Sequence, residues 1–212
     1  MLRRRLRLEL RSLKALWKYG LRAKSVTIRI APQDIGFVQY PEFFWQPKHD
    51  KSRPMVRDGD WDRVVAGRMY WSGRYEKLPE NGAGMLSLEN YVFFTSAREH
   101  FLNGVDWEET GWMAWVRKTG IKRYRSEAEI GERLAFLERL YEDGVAGRFM
   151  NSERDYPLVN IGREGRIAID DGRHRLCMAI IAGLSEVPVR VCCIHPEAIS
   201  SEYGARVLRK YF

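Results

Sequence analysis

The sequence is poor in cysteine and contains no long apolar run. Its 212 residues include only three cysteines, and two of these are adjacent, so that along a strand they would point to opposite faces. This excludes a disulfide framework and is typical of a reducing compartment. No apolar stretch reaches the roughly 18 residues of a membrane-spanning helix, and the amino terminus lacks the apolar segment of a secretory signal. We therefore predict a soluble, cytoplasmic protein whose cysteines are small core residues: Cys177, Cys192 and Cys193.

Acidic residues are scarce in residues 1–24, which carry nine Arg and Lys against one Glu. That excess equals the net charge of the whole chain, +8, so the remainder is neutral. Leucines and Trp17 recur there at spacings of three and four, which predicts a basic amphipathic helix. Such a helix can dock on its own domain or on a second copy in a homodimer, lie on an anionic membrane surface, or contact nucleic acid. The sequence leaves these alternatives open.

Beyond residue 24 the pattern predicts one domain over 25–212. Residues 25–30 alternate small or polar with β-branched side chains, which predicts a first strand. The region of about 35–150 is rich in aromatic residues, Gly and Pro but has no sustained period. We interpret it as an aromatic-rich loop and helical insertion, with short strands and with helices over 96–104 and 127–145.

The last third of the chain has the clearest pattern. Short strands over 158–161 and 166–169 flank a glycine-containing turn at 162–165, which predicts a hairpin. A helix over 173–182 follows and a glycine ends it. The apolar segment 187–193 is expected to be the closing buried strand.

An anion site is predicted where the second hairpin strand meets this helix. The first turn of a helix presents backbone N–H groups and the positive end of the helix dipole. Gly172 allows close approach of the backbone, Arg173 and Arg175 can bind phosphate oxygens in a fork, and His174 can donate from a ring nitrogen. The aspartate pair before this turn either caps the helix or supplies, through Asp171, a ligand to a divalent ion that bridges the phosphates.

These residues carry a family resemblance. The stretch IDDGRHRL at 169–176, followed by AGL at 182–184 and EVPV at 186–189, closely resembles the core motif of the ParB/sulfiredoxin superfamily. In that superfamily a strand, a Gly-x-x-Arg turn and a helix cradle nucleotide phosphates. The resemblance covers residues 158–193 and implies an α+β, ParB/sulfiredoxin-like small mixed sheet with flanking helices, here preceded by the basic helix. It also implies that ATP or another nucleotide binds together with Mg²⁺.

Departures from the superfamily pattern narrow the expected activity. Sulfiredoxin has its catalytic cysteine in this turn where the present chain has Arg173, which argues against sulfinic-acid reduction. Chromosome-partitioning members continue into a helix-turn-helix module, whereas this chain ends about 20 residues after its last predicted strand. The compact kinase members have a similar Gly-x-His-Arg turn.

Kinase chemistry requires a carboxylate beside the acceptor hydroxyl. Asp60, in the segment RDGDWD at 57–62, and Glu108, in DWEET at 106–110, are the candidates. The segment 57–62 is interpreted equally well as a polar turn anchored by a buried Trp61. For 106–110, a solvated helix cap is a slightly better interpretation than a catalytic role. The other histidines have no partner at metal-ligand spacing and are expected to be structural: His49, His100 and His195.

Two functions from different classes remain. The favoured one is a phosphotransferase that moves a phosphoryl group from a nucleotide to a small hydroxyl-bearing acceptor. The alternative is a ParB-like protein whose binding to DNA or to a partner is controlled by a nucleotide, or a ParB-like nuclease. Residues 1–24 would then be its nucleic-acid-binding segment.

Overall fold

The computed structural model describes most of the chain beyond the basic N-terminal segment. The described residues are 26–40, 55–71, 74–75, 84–119, 126–148, 150 and 152–204. The predicted helix over 1–24 and His49 lie outside them. Within them, no helix is both long and apolar enough to cross a membrane.

The described residues form nine strands and four helices. The strands are β1 (Val26–Ile30), β2 (Ile35–Tyr40), β3 (Met55–Val56), β4 (Met69–Trp71), β5 (Arg74–Tyr75), β6 (Gly84–Ser87), β7 (Leu158–Ile161), β8 (Ile167–Asp171) and β9 (Val187–Ile194). The helices are α1 (Val92–Asn103), α2 (Gly111–Thr119), α3 (Glu127–Val145) and α4 (Arg173–Ile181).

Seven strands make the main sheet, six of them in the order β1-β9-β7-β8-β2-β6, with β3 attached to β9. The pairs β1/β9, β7/β8 and β2/β6 are antiparallel, whereas β9/β7 and β8/β2 are parallel. The sheet is therefore mixed. The predicted α+β class is confirmed, and its ParB/sulfiredoxin-like version stays a prediction.

The C-terminal third follows the predicted order of hairpin, helix and strand. β7 has the predicted bounds, and β8, α4 and β9 differ from theirs by one or two residues. α3 begins and ends at the predicted residues. A capping box fixes its start: Ser126 accepts from the backbone N–H of Glu129 at 3.2 Å, and the Glu129 carboxylate accepts from that of Ser126 at 3.1 Å. The helix predicted over 96–104 is the C-terminal part of α1.

Three strands of the main sheet, β2, β3 and β6, come from the region 35–150, which the pattern predicted as loops with short strands and a helical insertion. β2 lies between β8 and β6 and pairs with both. Its sequence, IGFVQY, does not alternate cleanly because both of its faces are covered. A period-2 search therefore misses a strand that lies inside the sheet.

One face of the main sheet packs against α1 and α4 to form the larger hydrophobic core. Alternate residues of each strand point into this layer, as a pleated strand requires. The layer includes Ile28, Val38, Val159, Ile169 and Val189 from the sheet and Phe93, Leu176 and Met178 from the helices, all buried.

The opposite face of the sheet carries a smaller cluster that includes Trp61, Leu158, Ala168 and Cys192. Trp61 is buried, and its Nε1 donates to the backbone oxygen of Arg57 at 2.8 Å. The segment 57–63 thus covers part of this face, and we name it the Trp61 loop.

Arg163, in the turn between β7 and β8, fastens the Trp61 loop to the sheet. Its Nε lies 3.0 Å from both carboxylate oxygens of Asp62, and its backbone N–H donates to Oδ2 of Asp62 at 2.6 Å. Its Nη2 also donates to the backbone oxygen of Gly59 at 2.7 Å. The Asp62 side chain is fully buried by these contacts.

The ion pair with Arg163 sets the protonation of Asp62. Burial alone raises the pKa of the Asp62 carboxyl, but the hydrogen bonds and the positive charge of Arg163 together lower it by more, and the pKa lies below its ordinary value. Asp62 therefore binds Arg163 as a carboxylate at neutral pH, and the pair stabilises the folded state.

We expect Asp62→Asn to lower the free energy of unfolding by about 1.5–3 kcal/mol at pH 7, the contribution of a hydrogen bond to a charged group. Because the folded pKa is depressed, this contribution is present above the unfolded pKa of about 3.9 and is lost as the pH falls through the folded value. Urea unfolding at pH 7 and at pH 3 measures both effects. Asp60→Asn, in the same loop but exposed, is the control and should cost less than about 1 kcal/mol; equal effects of the two changes would contradict the role of Asp62.

Candidate functional site

Gly172 makes the turn from β8 into α4. Its φ of 72° and ψ of 29° lie in the left-handed region that favours glycine. A Cβ at this position would lie 2.8 Å from Cβ of Pro157 and 2.9 Å from its Cα. Both the backbone angle and the packing on Pro157 therefore require glycine.

The first turn of α4 has no side-chain cap among the described residues, because Gly172 stands at the capping position. The Gly172 carbonyl accepts from the backbone N–H of Leu176 at 3.2 Å, which starts the helical hydrogen bonds. The N–H groups before Leu176 have no acceptor one turn earlier within α4. This helix start has the polarity of an anion site.

Arg173 is directed into the protein. The residue is only 5% exposed, and its Nη2 donates to the backbone oxygen of Gln39 on β2 at 3.0 Å. Arg173 was predicted to bind phosphate together with Arg175, but its side chain instead holds the start of α4 against the sheet.

His174 lies between two other helices. Its ring meets the ring of Phe93 on α1 edge to face, with centroids 4.5 Å apart. On α3, Nη2 of Arg133 lies 2.9 Å from Nε2 and 3.0 Å from Nδ1 of His174. Since arginine has only donors, the ring nitrogen that accepts from Arg133 carries no proton. The contact brings a second guanidinium, from α3, to the first turn of α4.

Arg175 is the basic side chain of the turn that reaches the surface. It is 37% exposed, and its Nη2 lies 3.3 Å from Oδ1 of Asp155, itself 46% exposed. An exposed pair at this distance is weak. A phosphate can replace the Asp155 carboxylate on Arg175 because it offers the same fork of acceptor oxygens.

Asp171 lies at the end of β8, partly buried, next to Gly172. Its neighbour Asp170 points to the opposite face, as successive strand residues do, and is fully buried. Asp171 therefore approaches the turn as a single carboxylate. No cluster of three or more potential metal-binding side chains occurs in the described part of the chain.

Asp60 lies at the other end of β8 from this turn. It is an exposed member of the Trp61 loop, 2.9 Å from Arg63 and 3.2 Å from Arg163. Arg163 precedes β8 whereas Gly172 follows it, and five strand residues extend over about 13 Å. The structure does not bring Asp60 to the helix start.

Glu108 is held in a surface ion-pair network. Arg117 on α2 lies 2.6 Å from Glu108 and also binds Glu127 at the start of α3. These pairs raise the pKa of Arg117 and lower that of Glu127. Glu108 thus connects α2 to its preceding turn, and the described contacts do not place it beside Gly172.

The cysteines and two of the histidines have contacts typical of structural residues. All three cysteines are free and buried, and burial raises the pKa of each thiol. His100 joins α1 to α3 through Glu138, at 2.8 Å. His195, also buried, accepts from the backbone N–H of Glu197 and contacts the backbone oxygen of Gly59, which supports the Trp61 loop.

A row of buried polar side chains crosses three adjacent strands on the sheet face that carries Trp61. Gln39 (β2), Asn160 (β7) and Asp170 (β8) are fully buried, and we name them the polar row. Nδ2 of Asn160 donates to Asp170 Oδ1 at 2.9 Å and to Gln39 Oε1 at 3.2 Å. Ala168 is the register partner of Asn160, and its small side chain leaves room for the contact across β8. The hydrophobic pattern does not predict this row, whose only signal is one polar residue in each of three apolar segments, IGFVQY, LVNI and IAID.

The packing of Gly172 can be tested by comparison with Gly183, which follows α4 with a φ of +67° and would meet nothing within 4 Å if it had a Cβ. We expect Gly183→Ala to cost about 1–2 kcal/mol for the left-handed backbone alone. Gly172→Ala should cost clearly more, because the added carbon also collides with Pro157. Denaturant unfolding measures both, and equal losses would contradict the close packing of the turn.

Comparisons of the chain with models of known protein families, with curated proteins and with solved structures find no match. The resemblance to the ParB/sulfiredoxin superfamily consequently rests on the residues of the 158–193 unit and stays a prediction.

Proposed function

We propose that the protein binds a nucleotide through its phosphates at the start of α4 and transfers a phosphoryl group from it to a small hydroxyl-bearing acceptor. The observation that carries the proposal is the uncapped first turn, where Gly172 adds no side chain and Arg175 stays accessible. Backbone N–H groups, the helix dipole and a guanidinium converge there, and this combination favours a multiply charged anion.

The side chains around the turn have different parts in this proposal. Arg175 binds phosphate oxygens in place of Asp155, and His174 lies beside them with Arg133. Arg173 positions the helix from below. Mg²⁺ typically uses one or two carboxylates plus substrate phosphates, and Asp171, a single carboxylate beside Gly172, fits that pattern. The bound ion would neutralise phosphate charge.

The acceptor requires a carboxylate within hydrogen-bond reach of its hydroxyl proton. Asp60 and Glu108, the residues predicted for this role, are engaged by Arg163 and Arg117. Asp155 is the carboxylate in contact with a cation of the turn. We therefore assign the acceptor hydroxyl to Asp155.

Calorimetric titration with ATP, ADP, CTP and GTP, each with Mg²⁺, tests the phosphate site. We expect Arg175→Ala to weaken the Kd of the preferred nucleotide about 10- to 100-fold, because charge-assisted hydrogen bonds contribute about 1.5–3 kcal/mol. Arg139→Ala removes an exposed guanidinium from α3 and is the matched control, with an unchanged Kd. If Arg175→Ala binds as the wild type does, or if none of the four nucleotides binds, the proposed site is wrong.

Turnover tests the assigned chemistry. With water or an added sugar, polyol or amino alcohol as acceptor, we expect Asp155→Asn to lower the rate of nucleoside diphosphate release about 10²- to 10⁴-fold, the usual contribution of general-base catalysis. Its nucleotide Kd should not weaken, because the variant removes a negative charge from beside the phosphates. A variant with the wild-type rate would rule Asp155 out. Nucleotide-dependent DNA binding with a steep salt dependence that requires residues 1–24 would instead favour the alternative function.

A further inference from the structure

The polar row lies where a sheet covered on both faces ordinarily carries apolar side chains. Burying polar groups costs free energy unless each finds a hydrogen-bond partner. Three neighbouring strands nevertheless place Gln39, Asn160 and Asp170 side by side on one face. Their arrangement therefore needs a reason beyond packing.

Most hydrogen-bonding groups of the row have partners. Asp170 accepts from Asn160 and is hydrogen-bonded to the Cys192 thiol. Nε2 of Gln39 donates to the backbone oxygens of Gly84 at 3.0 Å and Trp61 at 3.3 Å. The exception is Oδ1 of Asn160, a buried acceptor that has no hydrogen-bond partner among the described residues.

Arg190 adds a donor to the same face. It stands on β9, two residues before Cys192, and its register partner on β7 is Leu158. Its Nε is buried and, among the described residues, makes no hydrogen bond. Its backbone N–H donates to the oxygen of Pro157 at 2.8 Å, and Pro157 packs directly on Gly172. The backbone of Arg190 thus lies beside the start of α4, and Asp170 of the row precedes Gly172 by two residues.

We propose that the polar row and Arg190 bind the ribose hydroxyl groups of the nucleotide. A hydroxyl both donates and accepts, so a vicinal diol matches an acceptor and a donor on one surface. Oδ1 of Asn160 accepts from one ribose hydroxyl, and the Asp170 carboxylate stabilises that hydroxyl as a donor. Nε of Arg190 donates to a ribose hydroxyl oxygen. The inference rests on the proposed function, because phosphates at Gly172 bring the attached ribose to this face.

The Trp61 loop controls access to the row. All three side chains are fully buried, so a ribose reaches them only when a covering segment moves. The Trp61 loop is such a segment, since Gln39 holds it through the backbone oxygen of Trp61. Binding therefore replaces this contact of the loop by contacts with the sugar.

The experiment compares three ligands that share the phosphates but not the sugar. Wild-type protein is titrated by calorimetry with the nucleoside triphosphate that it prefers, with the 2′,3′-dideoxy form of that nucleotide, and with inorganic tripolyphosphate, all with Mg²⁺. We expect the dideoxy form to bind about tenfold more weakly, as the loss of one or two buried hydrogen bonds implies.

Two variants assign the difference to residues. Asn160→Leu and Arg190→Met should each weaken binding of the ribonucleotide about tenfold while leaving that of tripolyphosphate unchanged. Asn160→Leu should also abolish the discrimination against the dideoxy form. The matched control is Arg29→Met, on the neighbouring strand β1, where Arg29 forms an exposed pair with Glu186. It should change neither the affinity for the ribonucleotide nor that for tripolyphosphate.

The failures of the two proposals are distinguishable. Equal affinity of the wild type for the ribose and dideoxy forms overturns the ribose site, while the phosphate site stands if Arg175→Ala weakens both. The ribose site is also overturned if Asn160→Leu and Arg190→Met weaken the binding of tripolyphosphate as much as they weaken that of the ribonucleotide. Absence of binding by all three ligands overturns both proposals. If Asn160→Leu does not fold, Arg190→Met and the wild-type comparison still decide.

Discussion

The hydrogen bond from the buried Arg173 guanidinium to the backbone oxygen of Gln39 is the interaction on which the candidate site depends. β2 comes from the first part of the chain, whereas β8 and α4 come from the last third, and this contact joins them. A buried cation tolerates little displacement, since losing its partner leaves a desolvated charge. The contact with the sheet therefore fixes the direction of α4, and with it the position of the backbone N–H groups in its first turn.

The two faces of the main sheet have different physical roles. The face under α1 and α4 is apolar and supplies hydrophobic stabilisation. The other face carries the polar row in its centre, so it contributes less stability for the same buried area. The pair of Arg163 and Asp62 compensates in part, because it fastens the Trp61 loop over that face with charged hydrogen bonds. The polar row therefore lies on the sheet face opposite α4, under the Trp61 loop.

The parts of the fold that local patterns specify were predictable. The capping box of α3, the hairpin and the glycine before α4 all depend on neighbours within a few residues. β2 and the polar row depend on what covers each face, which a period-2 pattern does not encode. Asp60 and Glu108 were chosen because carboxylates cluster near them, but their partners, Arg163 and Arg117, are set by tertiary packing.

The basic turn shows why a motif predicts a site better than it predicts the side chains that form it. Successive residues of an α-helix are rotated by about 100°, so three consecutive side chains cannot face one ligand. Arg173 accordingly points to the sheet, His174 to α1 and α3, and Arg175 to the surface. What remains common to the turn is its backbone. On the proposed function, an anion at this turn is held by N–H groups and one guanidinium, and its remaining contacts come from other elements. Arg133 on α3 is already in contact with the turn.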